Sequence, residues 1–318
     1  MQSTSPKGST AKIARLPFKK RLIKLVGRVT FWWMSLSSHL WTAGSVRVAG
    51  NALGSIFYCA SSRYRNTALN NLRNVYGEEK SEAQIRAMAK TSFKHFTRGA
   101  LEFFYVLSLS PDQIHDMVDI EGIELLDKVL ADGRGCILIT AHYGNWELLA
   151  RKLALLGYKV NVIARDSDDP GMTGITSRIR ESGGYRVFDK SQPLIGAMRA
   201  LKRNQILGIL PDQHDMMGIF VDFFSRPAAT ATGPALFAIK SGASVLPVFA
   251  PRMPDGKYKV TFYPRIEFDQ SGDTQSDVRE LTSLINNAIE HAIRLLPEQW
   301  LWLHDRWKSS PEVTRIVQ

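Results

Sequence analysis

The first 77 residues contain no aspartate or glutamate. Twelve basic residues stand there unopposed: Lys7, Lys12, Arg15, Lys19, Lys20, Arg21, Lys24, Arg28, Arg47, Arg63, Arg65 and Arg73. The whole chain carries +11, from 41 basic and 30 acidic residues, so the part beyond position 77 is nearly neutral at −1. The basicity therefore belongs to the N-terminal quarter, which suits an anionic lipid surface or a nucleic acid. Cysteine is almost as scarce. Only Cys59 and Cys136 occur, which excludes a disulfide framework and fits a reducing compartment. Cys136 lies in the apolar run 136–140 and reads as a buried small hydrophobe. There is no internal repeat, no long low-complexity segment and no Gly-x-Ser-x-Gly elbow. The last absence counts against a serine hydrolase. With 44% hydrophobic and 10% aromatic residues over 318 positions, global disorder is excluded and a substantial core is available.

Residues 29–46 are 18 positions without a formal charge, rich in aromatics around Phe31, Trp32 and Trp33 but broken by Ser35, Ser37, Ser38, His39 and Gly44. That is close to the lower limit for a membrane span and too polar for a clear one. Basic residues flanking Trp, Phe and Leu suit a helix lying at the headgroup boundary. An anionic membrane surface is thus expected as the partner of the basic segment, and nucleic acid is not. A cleavable signal peptide fits poorly, because the hydrophobic part starts late and lacks a small-residue cleavage site. The chain divides into a basic tail (1–28), a membrane-associating segment (29–60) and a main domain (61–318).

Beyond residue 77 the periodicity alternates. Residues 78–109 read as helix, with Ile85, Met88, Phe93, Phe96 and Leu101 at helical spacing. A short helix at 122–131 precedes the apolar strand 136–140. A helix at 145–156 follows, closed by Gly157. Strands are expected at 159–164, 185–188, 206–210, 244–249 and 258–263, and helices at 171–182, 194–202, 233–241 and 274–296. This order predicts an α/β fold: a mixed, mainly parallel sheet flanked by helices, with an N-terminal membrane-associating helical segment. Ligands in such sheets sit beyond the carboxyl ends of strands, where His142 falls.

His142 and Glu147 lie five residues apart, about 500° of helical rotation, so one continuous helix would point them to different sides. A metalloprotease pair, which needs two histidines at i and i+4, is excluded. If His142 precedes the helix, Gly144 permits a tight turn, Asn145 caps, and Glu147 falls in the favourable first turn. Its carboxylate can then fold back toward the imidazole, hold one tautomer and raise the basicity of the free nitrogen. The reaction class stays open at this point.

The segment Ala141-His142-Tyr143-Gly144-Asn145-Trp146-Glu147 resembles the His-x4-Asp/Glu motif of glycerolipid acyltransferases. In its Tyr-Gly-Asn-Trp-Glu form it is similar to the lipid A biosynthesis acyltransferase family, the late lauroyl and myristoyl transferases. Further stretches carry the resemblance in order from about residue 63 to 308. They are Arg165, an arginine site at Arg178 or Arg180, Leu210-Pro211-Asp212-Gln213, the run from Gly218 to Phe224, Gly233-Pro234-Ala235, and the run from Pro297 to Lys308. Where the family often has glycine after Phe-Phe, this chain has Ser225.

The resemblance implies an acyltransferase that moves a fatty acyl group from acyl carrier protein or coenzyme A to a hydroxyl of a membrane lipid, with a lipid A precursor favoured. It implies no cofactor and no metal. His142 would be the general base and Glu147 its orienting partner. Arg165 would bind phosphate or the developing oxyanion. Asp212, Gln213, Asn145 and Arg180 complete the expected substrate-binding set, although capping a turn is an equal use for an aspartate at a strand end. His214 reads as a surface histidine, and Trp300, Trp302 and Trp307 read as packing rather than an acyl pocket. The expected location is the cytoplasmic face of an inner membrane. A single span would place the main domain outside, since eight basic residues precede position 29 and only four lie between 46 and Glu78. A monotopic or peripheral anchor keeps the domain with the intracellular thioester.

Overall fold

The computed structural model describes residues 18–164, 170–190 and 194–311. Five helices lead into the sheet: α1 (Phe18–Ser37), α2 (Ala43–Ala60), α3 (Ser62–Tyr76), α4 (Glu82–Tyr105) and α5 (Pro111–Met117). Alternation follows with β1 (Val118–Glu121), α6 (Ile123–Ala131), β2 (Cys136–Ile139), α7 (Trp146–Leu155), β3 (Val160–Ala164), α8 (Pro170–Ser182), β4 (Arg186–Asp189), α9 (Ile195–Lys202) and β5 (Ile206–Ile209). The chain then makes the hairpin β6 (Ile219–Phe223) and β7 (Arg226–Thr230), and continues through α10 (Gly233–Ser241), β8 (Ser244–Phe249), β9 (Tyr258–Phe262) and α11 (Thr274–Leu295). The helix starts follow local chemistry. Ser81 with Gln84 forms a capping box at α4, Asn145 caps α7 and Asp273 caps α11.

The seven-stranded sheet has the order β1-β9-β8-β2-β5-β3-β4. Five neighbouring pairs are parallel and β8–β9 is antiparallel, so the sheet is mixed and mainly parallel as expected. β2, β5, β3 and β8 run the same way, which gathers the loops after them at one edge. Strand alternation divides the core in two. Ile137, Ile139, Leu207, Val245 and Phe249 face one layer with residues of α10 and α11. Cys136, Leu138, Val160, Ile206, Leu246 and Val248 face the other, with α6 and α7.

Several elements depart from the sequence-based expectation. α3, α5, β1 and the β6–β7 hairpin were not anticipated, and the helix expected over 78–109 is confined to Glu82–Tyr105. The hairpin turns on Phe224 and Ser225, at φ 51° and 56°. Two consecutive left-handed residues are the backbone of a two-residue turn that normally takes Asn or Gly, so Ser225 adopts the conformation that a glycine would reach without strain. The N-terminal segment is helical. Among the described residues no helix is long and apolar enough to cross a membrane. Instead α1 and α2 leave Val29, Trp32, Trp33, Leu36, Val48 and Ile56 exposed.

Candidate active site

The tight turn between β2 and α7 sets the site. Gly144 has φ +67°, and a Cβ there would lie 2.0 Å from the Ala250 carbonyl oxygen, so both the dihedral and the close backbone approach require glycine. Asn145 then starts α7, its side-chain oxygen accepting from the Leu148 N–H at 3.0 Å. His142 is left in the loop beyond β2, ahead of α7. Its carbonyl accepts from the Leu301 N–H at 3.1 Å, and its ring meets Trp146 edge-on at 4.9 Å.

The carboxylate on the imidazole is Asp212, not Glu147. Asp212 Oδ1 lies 2.9 Å from His142 Nδ1, and Oδ2 accepts from the His142 backbone N–H at 2.9 Å and from Trp300 Nε1 at 2.8 Å. It stands just beyond β5, the strand paired in parallel with β2. Burial pushes its carboxyl up, but the imidazole and these hydrogen bonds outweigh that and hold it below the ordinary value. At 1% exposure and with both oxygens engaged, Asp212 is closed to a substrate, which corrects its expected substrate-binding role. With an ionised acceptor at Nδ1, the ring proton belongs there, and Nε2 is the nitrogen left as acceptor. Among the described residues Nε2 has no hydrogen-bond partner.

Glu147 does lie in the first turn of α7, but its carboxylate turns to α8 and β4. Oε1 takes Arg180 Nη2 at 2.5 Å and Nε at 3.1 Å, and Oε2 accepts from the Tyr185 hydroxyl at 2.6 Å. The expected fold-back onto the imidazole is thus replaced by an arginine–tyrosine clamp. Burial lowers the basicity of Arg180, but Glu147 more than restores it, so the guanidinium is held above its ordinary value. Burial and the adjacent carboxylate push the Tyr185 phenol well up, keeping it a neutral donor.

A cavity of about 520 Å³ opens onto this edge of the sheet, lined by His142, Glu147, Arg180, Tyr185, Gln213 and Thr232 among others. The volume suits a small-molecule site. The two candidate arginines differ in position. Arg180 borders the cavity, whereas Arg178 is exposed and donates to the Gly174 carbonyl of its own helix at 3.0 Å. Gln213 lies at the cavity wall. Asn145 does not, being buried as the cap of α7 and donating to Glu102 at 3.2 Å. Arg165 lies outside the described residues. His214 is half-buried in the cavity wall rather than on the surface, with Nε2 2.7 Å from Ser309 Oγ.

Trp300 packs against Phe223 and Trp302, as a core tryptophan should. Its indole N–H also fastens Asp212, a duty that sequence reasoning missed. Arg306 is wholly buried near the same carboxylate, donating to the Ala229 carbonyl and Thr230 Oγ1 at 2.6 Å each. Burial lowers its guanidinium to about 10, against the opposing pull of Asp212.

Residues 23–309 match the family described as bacterial lipid A biosynthesis acyltransferase. The chain is 29% identical over 239 residues to the lipid A biosynthesis lauroyltransferase of Escherichia coli (strain K12), covering 74% of this chain and 76% of the relative. It is 24% identical over 266 residues to the lipid A biosynthesis palmitoleoyltransferase of the same organism, covering 82% and 84%. A phosphatidylinositol mannoside acyltransferase of Mycobacterium tuberculosis (strain CDC 1551 / Oshkosh) is 25% identical over 238 residues, covering 71% and 72%. A match that takes in the sheet, the His142 turn and the Trp300 segment makes this chain an acyltransferase and a member of the bacterial lipid A biosynthesis acyltransferase family.

Proposed function

We propose that the protein transfers a fatty acyl chain from an acyl thioester, carried by acyl carrier protein or coenzyme A, to a hydroxyl of a membrane glycolipid, with a lipid A precursor the favoured acceptor. The observation that carries the chemistry is the Asp212–His142 pair at the cavity, with Nδ1 engaged and Nε2 free. In this reading Nε2 takes the proton of the acceptor hydroxyl as its oxygen attacks the thioester carbonyl carbon. The new C–O bond forms and the carbonyl electrons move onto oxygen. Collapse of that oxyanion breaks the C–S bond, and the imidazolium returns the proton to the departing sulfur.

Asp212 acts through His142. It fixes the tautomer and stabilises the imidazolium, as the buried aspartate does in the serine protease triad. Glu147 holds Arg180 and Tyr185 against the cavity, where the cation stabilises charge growing on the carbonyl oxygen or a phosphate of the acceptor. Gln213, on the wall beside His142, contacts substrate. Arg165 remains a candidate for phosphate binding, and the chemistry calls on no metal or further cofactor.

The exposed face of α1 and α2 supports a membrane position for the acceptor. Trp32 and Trp33 are 61% and 59% exposed, and the flanking cations include Arg28 and Arg47. Such a face suits the headgroup boundary and supports a peripheral position on the cytoplasmic side of an inner membrane, where both thioester and lipid are present. Thioester consumption measured with and without acceptor lipid tests the reading. Consumption that depends on the lipid and yields an acylated lipid supports it. Equal consumption without lipid indicates a hydrolase, and none indicates a binding protein.

A further inference from the structure

Outside the catalytic cavity, a pocket of about 160 Å³ lies between the edge strand β4 and α9, lined by Arg186, Arg199 and Arg203 together with Asn161 and Gln205. Local packing sets the arginines. Arg186 and Phe188 share one face of β4, and the Arg186 guanidinium sits 4.9 Å from the Phe188 ring centroid. Gly196 lets that ring lie against α9, since a Cβ there would come 2.6 Å from Phe188 Cε1. Arg199 and Arg203 follow Gly196 at helical spacing on the same side. Asn161, 4% exposed, donates to Gln205 Oε1 at 3.1 Å and to the Ile206 carbonyl at 3.0 Å. That leaves the Gln205 amide nitrogen as one more donor.

The pocket gathers cations and donors with nothing to answer them. No aspartate or glutamate lines it, and none occurs from Lys190 to Pro211. Among the described residues no carboxylate pairs with any of the three arginines. A basic residue in the last turn of a helix suits the helix dipole, which accounts for Arg199. It does not account for Arg186, which comes from a strand. Nor does it account for three like charges around one pocket, an arrangement that costs free energy until an anion enters. The forked donors of guanidinium match the oxygens of a phosphate. The volume is below that of pockets that hold a whole ligand, so it suits one group of a longer molecule.

Both walls of the pocket lead to the catalytic cavity. Leu194, at the start of α9, and Lys190, just after β4, line that cavity. From Arg203 to Leu194 is about 13 Å of helix, and from Arg186 to Lys190 is about 13 Å of strand. Carrier protein and coenzyme A hold an acyl thioester on the same pantetheine arm, joined to a phosphate at its far end. The extended arm is long enough to span that interval. Resting on the acyl-transfer reading above, we propose that Arg186, Arg199 and Arg203 bind the phosphate of the donor's pantetheine arm while its thioester end enters the catalytic cavity.

Two measurements on the full chain test this. Calorimetry with inorganic pyrophosphate and with coenzyme A reads the site without catalysis. Both are expected to bind, less tightly as salt rises. Binding to the double variant Arg186→Gln, Arg199→Gln is expected to be weaker by about tenfold, the scale of one charge-assisted hydrogen bond. Competition between the acyl thioester of whichever carrier the wild type uses and acyl-N-acetylcysteamine, which has no phosphate, reads the site in turnover. The wild type is expected to favour the phosphate-bearing donor, and the double variant to lose about tenfold of that preference in relative kcat/KM. The arginines are exposed, so the variants should fold, as thermal unfolding checks. Should the double variant fail to fold, Arg203→Gln takes its place. An unchanged preference, or equal slowing of both thioesters, overturns the assignment to the donor, and pyrophosphate binding in that case makes the pocket a site for free phosphate. Absence of pyrophosphate and coenzyme A binding overturns the phosphate site itself. Wild type that transfers from no thioester overturns the acyl-transfer reading instead, and calorimetry alone then judges the pocket.

Discussion

The two faces of the central sheet are built to different ends, although each has a carboxylate by the same cavity, Glu147 lining it and Asp212 buried behind His142. On the face covered by α10 and α11, the core is filled with aromatics. Trp300, Trp302, Phe223 and Phe224 pack edge-on or tilted within 4.7–6.3 Å of one another. Asp212 is fastened to that mass through the Trp300 indole and holds the imidazole rigidly. On the α7 face, Glu147 is clamped by Arg180 and Tyr185 at the cavity wall. The packed face holds the imidazole, and the other lines the cavity. Residue type alone does not distinguish the two carboxylates. Their surroundings do.

The sharpest way to break this comparison is to neutralise each carboxylate in turn. Asp212→Asn leaves the shape but no longer dictates the tautomer at Nδ1, and kcat should fall by about 10²–10⁴. Glu147→Gln loosens Arg180 and Tyr185 without touching the ring, so a smaller loss divided between kcat and KM is expected. Steady-state kinetics of both variants decides. A larger kcat loss in Glu147→Gln than in Asp212→Asn reverses the assignment of the two faces.

A second substitution tests what holds the α7 face in place. Arg252 is buried between α4 and β9, pairing with Glu102, donating to the Tyr258 hydroxyl at 3.0 Å, and lying 2.8 Å from His95 Nδ1. Glu102 also receives the Asn145 side chain, so this network ties the cap of α7 to α4. Burial and the adjacent Arg252 and Arg98 push the His95 imidazole down to about 3, so it is a neutral acceptor. Glu102→Gln strands the buried guanidinium and should cost about 3–5 kcal/mol of stability, read by denaturant unfolding. A loss under about 1 kcal/mol, the scale of an exposed pair, contradicts the clamp.

The smallest effect expected is in acid. Asp212 is held below its ordinary value of 3.8 in the folded chain, so its stabilising contribution is complete above that value. It is lost as pH falls through the lower folded value. Wild type and Asp212→Asn should therefore differ in stability by a constant amount near neutrality and converge only below pH 3.8. Convergence above that pH would show that the carboxylate is not stabilised by the imidazole.

The sequence alone made much of this legible, for reasons that differ by element. The bounds of α10 and β8 were read from the sequence as they stand, because Pro234, Gly242 and an unbroken apolar run punctuate them. His142 was placed ahead of α7 by spacing and Gly144. The partner of its ring was not legible. Local reasoning favours the carboxylate five residues away, whereas Asp212 is 70 residues distant and becomes adjacent only through the β2–β5 pairing. The available signal was that both residues end apolar strands at the carboxyl edge of one parallel sheet. β1 escaped notice because four residues with mixed burial carry too little alternation. The β6–β7 hairpin escaped because its turn, Phe224-Ser225, lacks the usual Asn-Gly chemistry.

The most direct measurement is mass spectrometry of the lipid product formed from an acyl thioester and a hydroxylated glycolipid by wild type and by His142→Ala, each verified as folded. Acylated lipid with wild type, and a loss beyond the ~10²–10⁴ of general base catalysis with the variant, is the predicted result. Undiminished acyl transfer by His142→Ala would contradict the account.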